Sequence, residues 1–232
     1  MHNKPSVKVG DVFTNNQGSE FTVVEYTNAN NLVVEFNDKN MYQCDASVGQ
    51  IKRGVIRNPF VPVIEGIGYM GEGEYNSKSK FYKTWISDIK NGFIKEGDRF
   101  CDFQIYAEWR NNSRIRSDSE VRYNLIVDSE GNYVPCLLPK RISKALSTGR
   151  HKGEYLKGVF KSNKTCNKPY SAKLRKNYKP QFLGTFDTQE EAHEAYVKVK
   201  EGYVKELALE YKDQLADDVF DALMKWKVNG DN

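Results

Sequence analysis

The chain has 232 residues, of which 39% are apolar, and a net charge of +4, values that allow one to three small domains with hydrophobic cores. No apolar run approaches the roughly 20 residues of a membrane-spanning helix, and the first residues contain no signal-peptide core, so we expect a cytoplasmic protein without membrane contacts. The four cysteines stand far apart without CxxC or Cys-His spacing, which argues against zinc and indicates reduced thiols.

Charge is distributed unevenly along the chain. Residues 139–181 contain thirteen basic residues and one acid, Glu154, whereas residues 187–221 contain eleven acids and four lysines. A basic surface backed by an acidic one orients a protein toward a polyanion, and neutralisation of phosphates releases counterions. Because aromatic residues are interleaved with the basic ones, we interpret residues 139–181 as a nucleic-acid surface rather than a merely solvated face.

The first predicted element is a small β unit over residues 7–57. Residues 20–26 and 31–37 are rich in Val, Phe and Thr with near-alternation, and turn-forming residues 28–30 join them. About five short strands of this kind predict an SH3-like small β-barrel, with a domain spanning residues 1–60. Such barrels serve as docking modules or as nucleic-acid contacts, so this unit indicates no particular function.

A glycine motif follows at residues 66–71, which match the GxGxxG pattern. That pattern binds a dinucleotide when the glycines open a helix whose N-terminus receives the pyrophosphate. Here Glu72, Glu74 and a polar stretch follow the glycines. Acidic side chains would repel phosphate, so the sequence argues against nucleotide binding.

The region 61–150 contains two predicted helices and a hairpin. Apolar residues at three- and four-residue spacing predict an amphipathic helix over residues 81–94, with Phe93 on its core stripe, and a shorter helix over 105–109. Residues 121–128 and 132–138 are predicted strands around the turn 129–131, and Pro139 opens a further helix. This strand, turn, strand and helix order is that of a ββα-metal nuclease motif.

The last region, 151–232, contains a long amphipathic helix. Thr188 and Glu191 have the spacing of a capping box, and apolar residues from Ala192 to Leu207 form one stripe of the helix that follows. His193 lies off that stripe and is expected to be exposed. Residues 213–228 predict a final short helix, which packs on the domain or forms a dimer contact.

Short segments spread over residues 60–228 resemble phage-encoded HNH homing-endonuclease-like proteins, many of which carry a C-terminal AP2-like DNA-binding domain. The segments are 66–71, 82–85, 106–109, 133–142, 158–159, 170–174, 182–188, 190–192 and 195–196. The resemblance implies an α+β protein: a degenerate ββα (HNH-like) region at 61–150, and at 151–232 an AP2-like three-stranded sheet packed on a helix. In such nucleases a strand-end histidine activates water, and a helix Asn or His with an acid holds a divalent metal.

This chain departs from the nuclease pattern at the positions that the chemistry needs. The strand that should present the histidine reads Asn124-Leu-Ile-Val-Asp128, and Ser143 occupies the helix position of the family's asparagine. A hydroxyl is a poor metal ligand, and no group with a near-neutral pKa lies in this stretch. We therefore predict no catalytic residue, no metal site and no cofactor. If the chain were an active nuclease, Asp128 would hold Mg²⁺ with Asp98, Asp102, Glu108 or Asp118.

The resemblance also places a DNA-reading face on the predicted sheet. If Ala172 and Leu174 face the helix, alternate residues of the same strand project toward the major groove. The predicted DNA-binding residues are Phe160, Lys161, Ser162, Lys164, Ser171, Lys173, Arg175, Lys176, Lys179 and Phe182. Arg175 is the candidate for bidentate guanine contact, and the lysines at 161, 164, 176 and 179 are candidates for phosphates. The two phenylalanines contact thymine methyl groups or pack against a neighbouring domain.

The sequence thus predicts a phage or mobile-element protein of the host-cell cytoplasm that binds double-stranded DNA and acts by occupancy, as a regulator or an anti-defence factor. Two alternatives remain open at this point. One is an active, divergent metal-dependent homing endonuclease. The other is an inhibitor that binds a host enzyme through the N-terminal barrel and the 66–75 loop. The sequence indicates no oligomeric state.

Overall fold

The computed structural model describes residues 7–115, 118–147, 154–162 and 167–228. The chain forms two compact units, Met1–Asn112 and Ser113–Asn232. Within the described residues the strands form three antiparallel sheets, accompanied by α-helices, so the α+β class is confirmed. The predicted boundaries at residues 60 and 150 fall inside these two units. In these same ranges, no helix has both the length and the apolar character needed to cross a bilayer.

The first unit begins with a four-stranded antiparallel meander. Strands β1 (Val12–Thr14), β2 (Glu20–Asn28), β3 (Asn31–Phe36) and β4 (Gln43–Ala46) follow one another in space as in sequence. Helix α1 (Val48–Arg53) comes next and starts at a capping box formed by Ser47 and Gln50. Inward-facing apolar residues of β2 and β3 alternate with outward ones and form the core. The two long strands were predicted from this alternation and are confirmed, whereas closure into a barrel stays a prediction.

Helices α2 (Tyr82–Lys90) and α3 (Phe103–Asn111) complete the first unit around a buried tryptophan. The indole Nε1 of Trp85 donates to the carbonyl oxygen of Phe100 at 2.7 Å. A Cβ at Gly68 would lie 2.5 Å from Ile89 Cδ1 and 3.1 Å from the Trp85 ring, so this glycine of the GxGxxG motif is needed for close packing. The predicted core position of Phe93 is wrong, because α2 ends at Lys90 and the ring is exposed.

The second unit opens with a β-hairpin and a short helix in the predicted order. Strand β5 (Ser119–Val127) pairs antiparallel with β6 (Tyr133–Pro139), and helix α4 (Lys140–Leu146) follows directly. Leu138 and Ile142 are fully buried in one core with Leu207 and Leu223 from the last part of the chain. Residues on both sides of position 150 therefore share a single hydrophobic core.

A three-stranded sheet and two helices form the rest of the second unit. Strands β7 (Val159–Lys161), β8 (Tyr170–Lys176) and β9 (Lys179–Phe186) are antiparallel, with β8 in the centre. Helix α5 (Gln189–Glu210) covers one face and starts at the predicted capping box of Thr188 and Glu191. Helix α6 (Asp217–Lys225) is shorter than predicted, because the residues before it form a 3-10 turn. The sheet-plus-helix arrangement of this region is thus observed.

Replacing Gly158 by alanine is expected to destabilise the second unit by about 2 kcal/mol or more. Gly158 has φ +80°, and a Cβ there would lie 2.2 Å from the Tyr196 ring. The cost combines a left-handed backbone, which side chains disfavour, with a clash against α5. Gly202→Ala is the control, because nothing lies within 4 Å of its Cβ position in α5 and alanine favours helix. Urea unfolding of both variants checks this, and equal stability of Gly158→Ala and wild type would contradict it.

Candidate nucleic-acid interface

The sheet of the second unit has one face covered by α5 and another that no described helix or strand of this unit covers. On the covered side Val159, Ala172 and Leu174 are buried against α5. Exposed residues lie on the other side, and we call four of them the open face: Phe160, Lys173, Arg175 and Phe182. Antiparallel partners share a face, and Lys173 pairs with Phe182 across β8 and β9. The predicted alternation of β8 is therefore confirmed at these positions.

The open face combines exposed aromatic rings with basic groups. Phe160 is 47% exposed and Phe182 is 61% exposed, which is unusual for phenylalanine. The Lys173 Nζ lies 5.4 Å from the centroid of the Phe160 ring. Arg175 is exposed and, within the described part of the chain, has no hydrogen bond or ion pair. Such a surface offers a free guanidinium fork and apolar contacts to a ligand.

The side chain of Ser171, which pairs with Phe160 on this face, is buried and not exposed as the alternation predicted. Its side chain is only 3% exposed, and its hydroxyl donates to the Phe160 carbonyl oxygen at 3.3 Å. The side chain is short enough to turn back onto the neighbouring strand, so its position in the alternation does not lead to exposure. Ser162 is half-buried at the end of β7, and its hydroxyl oxygen is enclosed without a partner in the described residues.

The predicted phosphate-binding lysines differ in their surroundings. Lys161 and Lys179 are exposed, and Lys164 lies outside the described residues. Lys176 instead forms an ion pair with Glu206, with its Nζ 2.5 Å from the carboxylate and 5.3 Å from the centroid of the Tyr203 ring. The acid comes from α5, thirty residues away along the chain. The ammonium of Lys176 is therefore already engaged, whereas those of Lys161 and Lys179 form no ion pair with any described residue.

Replacing Lys179 by alanine is expected to weaken duplex binding uniformly across sequences and to lower the slope of log affinity against log salt by about 1. Lys176→Ala, at the other end of the same hairpin turn, should have a smaller effect, because Glu206 already neutralises that ammonium. Fluorescence anisotropy with one labelled duplex at several salt concentrations measures both slopes. A larger loss for Lys176→Ala than for Lys179→Ala would contradict this assignment.

At the predicted nuclease position, Ser143 makes a short internal hydrogen bond. Its buried hydroxyl donates to Glu120 Oε2 at 2.6 Å, which joins α4 to β5. Asp128 is exposed at the hairpin turn and accepts backbone hydrogen bonds from Asn132 and Glu130, both at 2.9 Å. These bonds, led by that from Asn132, hold the pKa of Asp128 below its ordinary value. Both oxygen-bearing groups thus take part in local structure.

Three of the other acids that could join Asp128 at a metal also take part in local structure. Asp98 and Asp102 lie in the first unit, where they cap a 3-10 turn and helix α3, and Asp118 lies 3.9 Å from Lys140. Across the described ranges, no group of three or more His, Cys, Asp or Glu residues is arranged to hold a metal ion. The donor set seen here does not fit the Mg²⁺ of the nuclease mechanism.

Four basic residues that the predicted binding set lacked lie beside the sheet. Arg141, Lys144, Lys157 and Lys200 line a cleft bounded by α4, β8 and α5. Their positions depend on tertiary contacts. The Nη2 of Arg141 donates to Asn177 Oδ1 at 2.6 Å, in the turn between β8 and β9, and Arg141 also pairs with Glu210.

His193 is half-buried rather than exposed as expected, because its Nδ1 lies 2.8 Å from the carbonyl oxygen of Lys157. This contact joins α5 to the residues that lead into β7. The other two histidines, His2 and His151, lie outside the described residues.

Comparison of the chain with protein-family models, with curated proteins and with solved structures produced no match.

Proposed function

We propose that this chain binds double-stranded DNA through the open face of its second unit. The observation that carries the proposal is a sheet with one face packed on α5 and another that no described helix or strand of this unit covers, where Lys173 and Arg175 stand between two exposed phenylalanines. A soluble domain ordinarily covers such rings or uses them at an interface. Cations beside the rings favour a polyanionic partner with apolar groups, which describes the major groove.

The major groove admits a two-stranded β-ribbon, and β8 and β9 form an antiparallel pair of this kind. Arg175 has a free guanidinium that can donate to the two acceptors of a guanine edge. Phe160 and Phe182 offer contacts to thymine methyl groups. Lys161 and Lys179 lie toward the strand ends, where they would meet phosphates and set the register without reading sequence.

We infer that this binding acts by occupancy and not by cleavage. In the hairpin and helix that resemble an HNH motif, Ser143 is bonded to Glu120, and Asp128 caps its own turn. Ser143 could bind a metal only by breaking its bond to Glu120, and the turn uses Asp128 Oδ1, which leaves Oδ2 as the one metal donor of this pair. A phage or mobile-element origin rests on the resemblance alone and is part of the proposal. Such a protein would regulate or block processes at the bound site.

Electrophoretic retardation of duplex DNA between 50 and 200 mM salt tests the binding proposal. If about four phosphates are neutralised, affinity should fall by roughly 10²-fold over this range. Retardation that does not respond to salt, or no retardation at low salt, would contradict it. Incubation of the same duplexes with Mg²⁺ or Mn²⁺ tests occupancy, and cleavage that Asp128→Ala abolishes would show an active nuclease instead.

A further inference from the structure

The second unit contains a basic cleft of about 610 Å³ at the edge of its three-stranded sheet. It is bounded by α4, α5 and the second half of β8. Strand β7 pairs only with residues 170–172 of β8, so the rest of β8 lies at this edge of the sheet. The cationic residues that line it are Arg141, Lys144, Lys157, Lys173, Arg175 and Lys200. Among the described residues, no carboxylate lines it. We call this the basic cleft.

Lys200 is the least expected of these residues, because it lies on the buried stripe of α5. It follows Tyr196 by one helical turn and precedes Tyr203 by another, and it is 5% exposed. Its Nζ has a long hydrogen bond of 3.4 Å to the carbonyl oxygen of Ser147. Lysine is rarely buried to this degree without a negatively charged partner.

A second buried lysine increases the concentration of positive charge. Lys157 is 8% exposed, and its charge acts on Lys200. Burial, and then the charge of Lys157, lower the pKa of Lys200 from its ordinary value. For Lys200, lost hydration and repulsion by a like charge both oppose the folded state. An anion beside Lys200 would reverse both effects.

The remaining walls of the basic cleft contain lysine side chains beside aromatic rings, which suits an anionic ligand with a flat apolar part. Lys144 Nζ lies 5.0 Å from the centroid of the Tyr178 ring, and Lys173 Nζ lies 5.4 Å from that of Phe160. Arg141 is engaged with Glu210 and Asn177, so it shapes the wall rather than offering a free charge. The volume lies within the range of small-ligand pockets, so a single phosphate does not fill it.

We propose that the basic cleft binds a phosphate group, with Lys200 and Lys157 as its charge partners. The group is either a phosphodiester of a nucleic acid or the phosphate of a free ester such as a nucleotide. This goes beyond the proposed function, because a free ester satisfies the same charges without any duplex on the open face. For a phosphodiester, the geometry is also suitable: Phe160, Lys173 and Arg175 belong both to the open face and to the cleft wall.

Thermal unfolding of the full chain tests the site with inorganic phosphate as the probe. Phosphate should raise the melting temperature above that in chloride of equal ionic strength, by roughly 3 °C at ten times its dissociation constant. Lys200→Met and Lys157→Met should lose this rise. Lys198→Met is the matched control, because it removes the same charge from the exposed side of α5 and should keep the rise. No rise in wild type, or an equal rise in all four proteins, would overturn the proposal.

Duplex titrations then distinguish the two sources of the phosphate group. If it is a phosphodiester, Lys200→Met weakens all duplexes alike, lowers the salt slope by about 1, and inorganic phosphate competes with DNA. If it is a free ester, Lys200→Met loses phosphate stabilisation and keeps its duplex affinity. A wild-type chain that binds no duplex but shows Lys200-dependent phosphate stabilisation would defeat the proposed function and support this inference.

Discussion

Replacing Arg175 by alanine is expected to weaken binding of the preferred duplex by about 1–3 kcal/mol, or about 5- to 150-fold, while affinity for unrelated duplexes changes little. The guanidinium is exposed on the open face and has no bond within the described residues, so its donors are free for a base edge. A bidentate contact to guanine is lost entirely with the side chain. The preferred duplex comes from selection in a random pool, and anisotropy gives the two affinities.

Arg175→Lys is the informative companion variant. It keeps the positive charge but loses the planar fork, so it should lose discrimination nearly as fully as the alanine variant while retaining more affinity for unrelated duplexes. Lys198→Ala, on the exposed side of α5, serves as the charge control and should bind like wild type. If Arg175→Ala lost affinity equally for all sequences and Arg175→Lys bound like wild type, Arg175 would contact a phosphate and not a base.

Replacing Lys200 by methionine is expected to stabilise the free protein by about 1 kcal/mol, although the same change should abolish the phosphate effect. A buried ammonium near Lys157 costs desolvation and repulsion, and methionine fills a similar volume without either cost. A lysine with a purely structural role would behave oppositely, because its removal would destabilise the core. Urea unfolding in phosphate-free buffer measures the difference, and a destabilised Lys200→Met would contradict this account.

The difference in unfolding free energy between Lys200→Met and wild type should also depend on pH. The folded-state pKa of Lys200 lies below its unfolded value of 10.5, so the cost of its charge is fully present at neutral pH. The cost disappears as pH rises through the folded-state pKa toward 10.5, because the amine then loses its proton in the folded state. The other charged groups that line the cleft at neutral pH, Arg141, Lys144, Lys157, Lys173 and Arg175, are all cationic, and its remaining titratable groups are Tyr178, Tyr196 and Tyr203. The advantage of Lys200→Met should therefore shrink as pH rises.

Local patterns predicted much of the second unit. Alternation placed Ala172 and Leu174 against α5 and Lys173 and Arg175 outside, because a strand with one buried face leaves no other register. Thr188 and Glu191 marked the start of α5, because an N-cap hydroxyl and the acid three residues later satisfy the free backbone donors. These features depend only on neighbours in sequence.

The features that could not be predicted depend on partners distant in sequence. Glu206, which engages Lys176, lies thirty residues away, and Ser171 turns back onto a neighbouring strand. Lys200 carried a readable signal: it is a lysine in register with Tyr196 and Tyr203 on the apolar stripe of a helix. A charged residue at such a position indicates either a buried ion pair or a ligand. This signal was overlooked because the charges of residues 187–221 are mostly acidic.

The most direct test of the central claim compares two variants that change charge equally. The open-face variant carries glutamate in place of Lys173 and Arg175. The helix variant carries glutamate in place of Lys198 and Lys225, which are both exposed on helices. Anisotropy with a labelled duplex at low salt should show that the open-face variant loses binding, whereas the helix variant retains most of it. Equal affinity of the two variants would contradict a DNA interface on the open face of the sheet.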